Sequence, residues 1–140
     1  MSFLTSLLSG VIGSIAGLWG AFKLFKKEHR HELDAKVERL ILVSIQYPYL
    51  ESDEFCSAWD PLKAITDEKY MRYDNYCCLV FNLLEDIFEY FGANADKIED
   101  YIGAKELITR HKTWWSNPGN NSENTQGYPG KFRKYLETYL

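Results

Sequence analysis

Residues 2–22, SFLTSLLSGVIGSIAGLWGAF, carry no charged side chain, and nothing else in the chain limits its fold so sharply. As a helix rising about 1.5 Å per residue, the run reaches about 32 Å, enough to cross a hydrocarbon core of about 30 Å. A lone segment in lipid satisfies its own backbone only as a helix. The sequence therefore predicts a transmembrane helix over 2–25.

At helical spacing the run has two faces. Leu4, Leu7, Leu8, Val11, Ile15, Leu18, Trp19 and Phe22 gather on one side, while Ser6, Ser9, Gly10, Gly13, Gly17 and Gly20 lie on the other. Lipid solvates bulky side chains, whereas a stripe of small residues lets a second backbone approach, as in Gly13-x-x-x-Gly17. No second apolar run in the chain is long enough to be that partner, because Leu40 to Ile45 spans only six residues. The expected partner is another copy of the chain, in a symmetric homo-oligomer such as a tetramer. Within it Ser6, Gly10, Gly13, Gly17 and Gly20 either seal the helices against one another or face a pore. A plain anchor is the alternative.

Lys23, Lys26, Lys27 and Arg30 follow the run, and no A-x-A-like cleavage site accompanies it. The segment reads as a retained span rather than a signal peptide. Basic residues stay on the cytoplasmic side, so the amino terminus is expected outside the membrane and the remainder in the cytoplasm. Three cysteines, two of them adjacent and none in a C-x-x-C pair, fit reduced, buried thiols rather than a disulfide framework.

The net charge of −4 conceals a partition. Residues 23–39 balance to +2, 51–106 to −9, and 110–140 to +3. An acidic middle with basic flanks suits a headgroup-facing stalk and a separate basic surface.

Beyond the span the pattern predicts helices only. A juxtamembrane stalk continues over 26–46, weakened near His29 by like charges at i,i+4, and Tyr47-Pro48 ends it. A cytoplasmic helical domain fills 47–140. Its expected elements are a short helix over 52–59 and a turn or another short helix starting at Asp60-Pro61. A long helix over 67–91 follows, capped by Thr66 and closed by Gly92, with Leu79 and Leu83 widening its apolar face. Asn82, inside that apolar run, is expected to bond to backbone. One helix over 95–115, capped by Asn94, turns His111 and Trp115 inward. Then comes a mobile loop over 116–130, and a last helix begins at Pro129.

No catalytic motif emerges. His29 and His31 point to different helix faces, and Glu85, Asp86 and Glu89 lack histidine partners at di-metal spacing. The reading is a non-enzyme with no metal and no cofactor. Arg110, Lys112, Trp114, Trp115, Lys131, Arg133 and Lys134 interleave cations with flat rings on either side of the loop. That combination suits phosphates and stacked bases, so these seven form a candidate site for a nucleotide or a short single-stranded DNA. Helix-end cations and core tryptophans explain the same pattern without a ligand.

One span ahead of a small helical domain carrying Tyr47-Pro48-Tyr49-Leu50, Phe81-Asn82-Leu83-Leu84-Glu85, Trp114-Trp115 and Phe132-Arg133-Lys134-Tyr135-Leu136 resembles bacterial single-span membrane-anchored helical proteins. In layout the chain is similar to the membrane effectors of the Hailong antiphage-defence system. The resemblance implies a homo-oligomeric ion channel in the inner membrane, controlled by short DNA oligomers. It also implies that the small-residue stripe lines or seals the channel and that the basic-aromatic residues sense deoxyadenosine nucleotides. A membrane-anchored interaction module without a pore is the alternative.

Overall fold

The structure, a computed structural model, describes residues 2–119 and 123–140, with side chains at 17–119 and 125–140. The described residues form helices and no strand, as an all-α reading requires. The chain divides into two units, Met1–Ala35 and Lys36–Leu140.

Helix α1, Ser2–Gln46, is continuous through His29, where a break was a possibility in the sequence. Arg30 Nε lies 3.2 Å from Asp34 Oδ1, an i,i+4 pair that offsets the like-charge spacing there. Tyr47, at φ −130°, leaves the helical region ahead of Pro48. Ser6, Gly10 and Gly13 carry the small-residue expectation, and their side-chain surroundings lie outside the described residues. Gly17 and Gly20 have open space where a Cβ would stand. Among the described residues no helix is long and apolar enough to cross a membrane, and most of the expected span falls at 2–16, beyond the described side chains.

The second unit is built around α3, Glu68–Tyr90. Tyr73, Tyr76, Cys77, Val80, Phe81, Leu84, Ile87 and Phe88 are buried along it at the 3.6-residue period. Two positions depart from the expected face. Leu79 is 49% exposed, and the cap is Asp67 rather than Thr66, with Asp67 Oδ1 accepting from the Lys69 N–H at 2.9 Å. A carboxylate so placed also complements the helix's positive end. Gly92 at φ 60° closes α3 as expected, and Ala93 at φ 63° extends the left-handed exit.

Short elements connect α1 to α3: a 3-10 turn at Pro48–Glu51, helix α2 at Asp53–Ser57, and a 3-10 turn at Lys63–Ile65. Ser52 caps α2, its Oγ accepting from the Phe55 N–H at 3.4 Å. The helix expected over 95–115 is two helices, α4 at Ala95–Ile102 and α5 at Ala104–Ser116. Gly103, at φ 63°, turns the chain between them in a conformation only glycine adopts without strain. Asn94 caps α4 as anticipated, accepting from the Lys97 N–H at 3.1 Å.

The stretch expected as a mobile loop is partly built. Helix α6 occupies Glu123–Gly127, and Trp59 Nε1 donates to the Asn117 carbonyl at 2.7 Å. Residues 120–122 lie outside the described residues. Helix α7, Gly130–Glu137, starts after Pro129 and buries Phe132 and Leu136. The fold thereby brings α2, α3 and α5 around one polar cluster, and sets α7 against the end of α5.

Candidate functional site

Glu51 ends the first 3-10 turn beside α5 and α3. Its Oε2 accepts from Arg110 Nη1 at 2.8 Å, His111 Nε2 lies 3.2 Å from its Oε1, and the Tyr76 hydroxyl donates to the same Oε1. Burial opposes the Glu51 charge. The hydrogen bonds of His111, Tyr76 and Arg110, together with the His111 charge, outweigh it and hold the carboxyl down at about 2. Arg110 is then fully engaged, for Nε donates to Asp53 Oδ1 at 3.0 Å and Nη2 to Glu106 Oε1 at 2.7 Å.

On its far side the His111 ring meets two more groups. Nδ1 is 2.9 Å from the Tyr73 hydroxyl and 3.9 Å from Cys77 Sγ. Thiol, imidazole and carboxylate thus stand in the order of a nucleophile, a base and an orienting group. Cys77 and His111 are both fully buried, and burial pushes the Cys77 thiol well above its ordinary range. Burial likewise pushes Cys56 up to about 11, and its Sγ donates to the Leu50 carbonyl at 3.2 Å. The arrangement keeps the thiols protonated and satisfies the part-buried Glu51 charge, and it fastens Glu51, and the chain leaving α1, onto α3 and α5. Among the described residues no group of three histidine, cysteine or carboxylate side chains could hold a metal ion.

The seven candidate ligand residues separate into four places. Arg110 and Lys112 line a cleft of about 520 Å³ together with Asp53, Glu99, Lys105 and Glu106. Acidic and basic groups balance there, and Arg110 already serves three carboxylates. Trp114 belongs to the core: it is 1% exposed, its indole stacks on Phe81 at 5.4 Å and 15°, and Nε1 donates to Asp74 Oδ1 at 2.6 Å.

Trp115 and Arg133 meet in a second cleft, of about 810 Å³, with Gln126 and Glu137. Trp115 is half-buried there, its ring 4.7 Å from Phe81 and 5.3 Å from Tyr128 between centroids. Arg133 Nη1 donates to Gln126 Oε1 at 3.1 Å, while its Nε is buried and meets no acceptor among the described residues. Lys131 and Lys134 are exposed on α7 and line neither cleft. Asn82 is exposed rather than enclosed, and accepts from the Tyr128 hydroxyl at 2.6 Å instead of bonding to backbone.

Sequence reasoning counted Glu51 only as one more acid. The available signal was His111, turned inward between Ile108 and Trp114, because a histidine in a core needs polar partners supplied from elsewhere in the chain.

No protein family, curated protein or solved structure matches the chain.

Proposed function

We propose that the protein is a homo-oligomeric membrane effector. Its amino-terminal helix enters the inner membrane, several copies associate there as a pore, and the cytoplasmic helical domain controls that pore in response to a nucleotide or a short oligonucleotide. The observation that carries this reading is the crowding of bare apolar side chains on α1. Leu18, Trp19, Phe22, Leu24 and Phe25 are each between 63% and 72% exposed within eight residues. A contiguous patch of that kind marks contact with lipid or with another helix. Lys23, Lys26 and Lys27 interrupt and follow it, and Lys23 Nζ sits 3.9 Å from the centre of the Trp19 ring. Tryptophan beside lysine suits the level of the headgroups, where an amphipathic ring and a cation both find partners. The role in antiphage defence follows from the resemblance to membrane-anchored effectors alone.

A membrane-anchored interaction module is the second reading, favoured by the −9 charge of residues 51–106, which suits a basic partner. Leakage from liposomes separates the two. The natural protein should release an entrapped dye in the presence or absence of a five-nucleotide single-stranded DNA, and changing Gly13→Leu with Gly17→Leu should abolish release. Absence of release under both conditions, with a monomer in detergent, would favour the anchor instead.

A further inference from the structure

We infer that the ligand is bound by the cleft between the end of α5 and α7, and that it enters as one flat ring carrying an anionic group, the size of a single nucleoside monophosphate. The inference rests on the nucleotide-controlled reading above for the kind of ligand. Its location comes from the geometry of Trp115, Arg133, Gln126 and Glu137.

Arg133 supplies the first argument. A guanidinium has five N–H donors and no acceptor, and its buried donors demand partners. Gln126 Oε1 takes Nη1 at 3.1 Å, and Nε meets no acceptor among the described residues. An anion in the cleft would neutralise the Arg133 guanidinium through its remaining N–H donors, in charge-assisted hydrogen bonds about twice as strong as neutral ones. Arg110 shows the opposite condition, with three carboxylates on its three nitrogens. An anion seeking Arg110 in the other cleft would have to displace one of them.

Trp115 supplies the second. Its indole is backed by Phe81 and Tyr128 at 4.7 Å and 5.3 Å and met edge-on by Phe132 at 6.5 Å, which holds its plane where it lines the cleft. A rigid indole beside a cation is a platform for a nucleobase, and stacking contributes about 1–3 kcal/mol per base. The third argument is shape and polarity. The volume of about 810 Å³ exceeds one mononucleotide but is far too small for a duplex. Glu137 lines the same cleft and would accept from an exocyclic amine on the ring, so the site offers a cation to the phosphate and a carboxylate to the base.

The test is titration of the full-length protein in detergent micelles with adenosine 5′-monophosphate, with inorganic phosphate, and with a five-nucleotide single-stranded DNA. Binding is read by calorimetry and by tryptophan fluorescence. The monophosphate and the DNA should both bind and quench, with phosphate alone at least about tenfold weaker for want of stacking. Arg133→Gln should weaken binding at least about tenfold, and Arg133→Lys less. Trp115→Phe should remove most of the quench, and Lys112→Ala, in the other cleft, should leave affinity unchanged. Circular dichroism reports whether each variant keeps its helices. Unchanged affinity in a folded Arg133→Gln variant would overturn this location while leaving nucleotide control standing. Failure of both the monophosphate and the DNA to bind the natural protein would overturn the location and the nucleotide reading together. Phosphate binding as tightly as the monophosphate would overturn the role given to Trp115.

Discussion

Trp19, Phe22 and Phe25 in α1 are chemically the same as Trp114, Phe81 and Phe132 in the helical domain, yet the first three are 64%, 63% and 66% exposed and the second three are 1%, 0% and 0%. The difference lies in what surrounds them. In the second unit aromatic side chains from α3, α5 and α7 converge, so Phe81 meets both Trp114 and Trp115. In the first unit a single helix presents its large residues outward, and a lone helix cannot cover its own apolar side chains. One region stabilises itself by internal packing. The other leaves its large apolar side chains bare, which is why the functional reading rests on it.

Truncation of an aromatic side chain in each region tests that contrast most directly. Phe81→Ala should lower unfolding stability by about 3–5 kcal/mol, the usual cost of emptying an aromatic site in a core. Phe22→Ala should change it by no more than about 0.5 kcal/mol, as for an exposed position. Urea melts of both variants in one detergent compare them. Equal losses would mean that Phe22 is packed in a core of its own, and the contrast would fail.

The next largest effect should come from Glu51, which asks whether the polar part of the core is as self-sufficient as the apolar part. Its folded carboxyl is held at about 2 against an ordinary 4.5. A depressed carboxylate contributes stability above its unfolded value, and that contribution is lost as pH falls through the folded value. The difference of about 2.5 units corresponds to roughly 3 kcal/mol, fully present above pH 4.5 and gone below pH 2. Glu51→Gln should therefore be less stable than the natural protein by about that amount at pH 7, with the two curves converging as pH falls from 4.5 toward 2. A gap independent of pH would assign the loss to shape rather than charge.

Periodicity made α3, the continuation of α1 past the charged cluster and the cap at Asn94 legible in the sequence, because these depend on neighbours a few residues apart. Gly103 was hidden inside an otherwise helical pattern, since a glycine there is compatible with both a continued helix and a left-handed turn, and packing of α4 against α5 decides it. Trp114 and Trp115 are adjacent, so only the rotation of α5 about its axis chooses which is enclosed, and a one-residue shift of phase exchanged them. The separation of Arg110 from Arg133 was equally unreadable. Both are cations near aromatic residues in the sequence, but Asp53 and Glu51 reach Arg110 from 57 and 59 residues away. Which cation is satisfied is a property of the fold, and no local pattern encodes it.

The smallest effect expected concerns the edge of the self-sufficient region, where the chain leaves α5. A Cβ built on Gly119 would stand 2.6 Å from Asp74 Oδ2, too close for any carbon and oxygen. Asp74 cannot simply swing away, because its Oδ1 accepts the Trp114 indole N–H at 2.6 Å. Gly119→Ala must either move the backbone or break that bond, at about 1–2 kcal/mol, the cost of leaving a buried donor without its acceptor. Gly130, the first residue of α7, has open space at the same position. Gly130→Ala should be neutral or stabilising by up to about 1 kcal/mol, since alanine restricts the unfolded chain more. Thermal melts of the two variants measure the difference. If Gly119→Ala is as mild as Gly130→Ala, Asp74 is free to move out of the way, and the close approach at Gly119 does not constrain the chain.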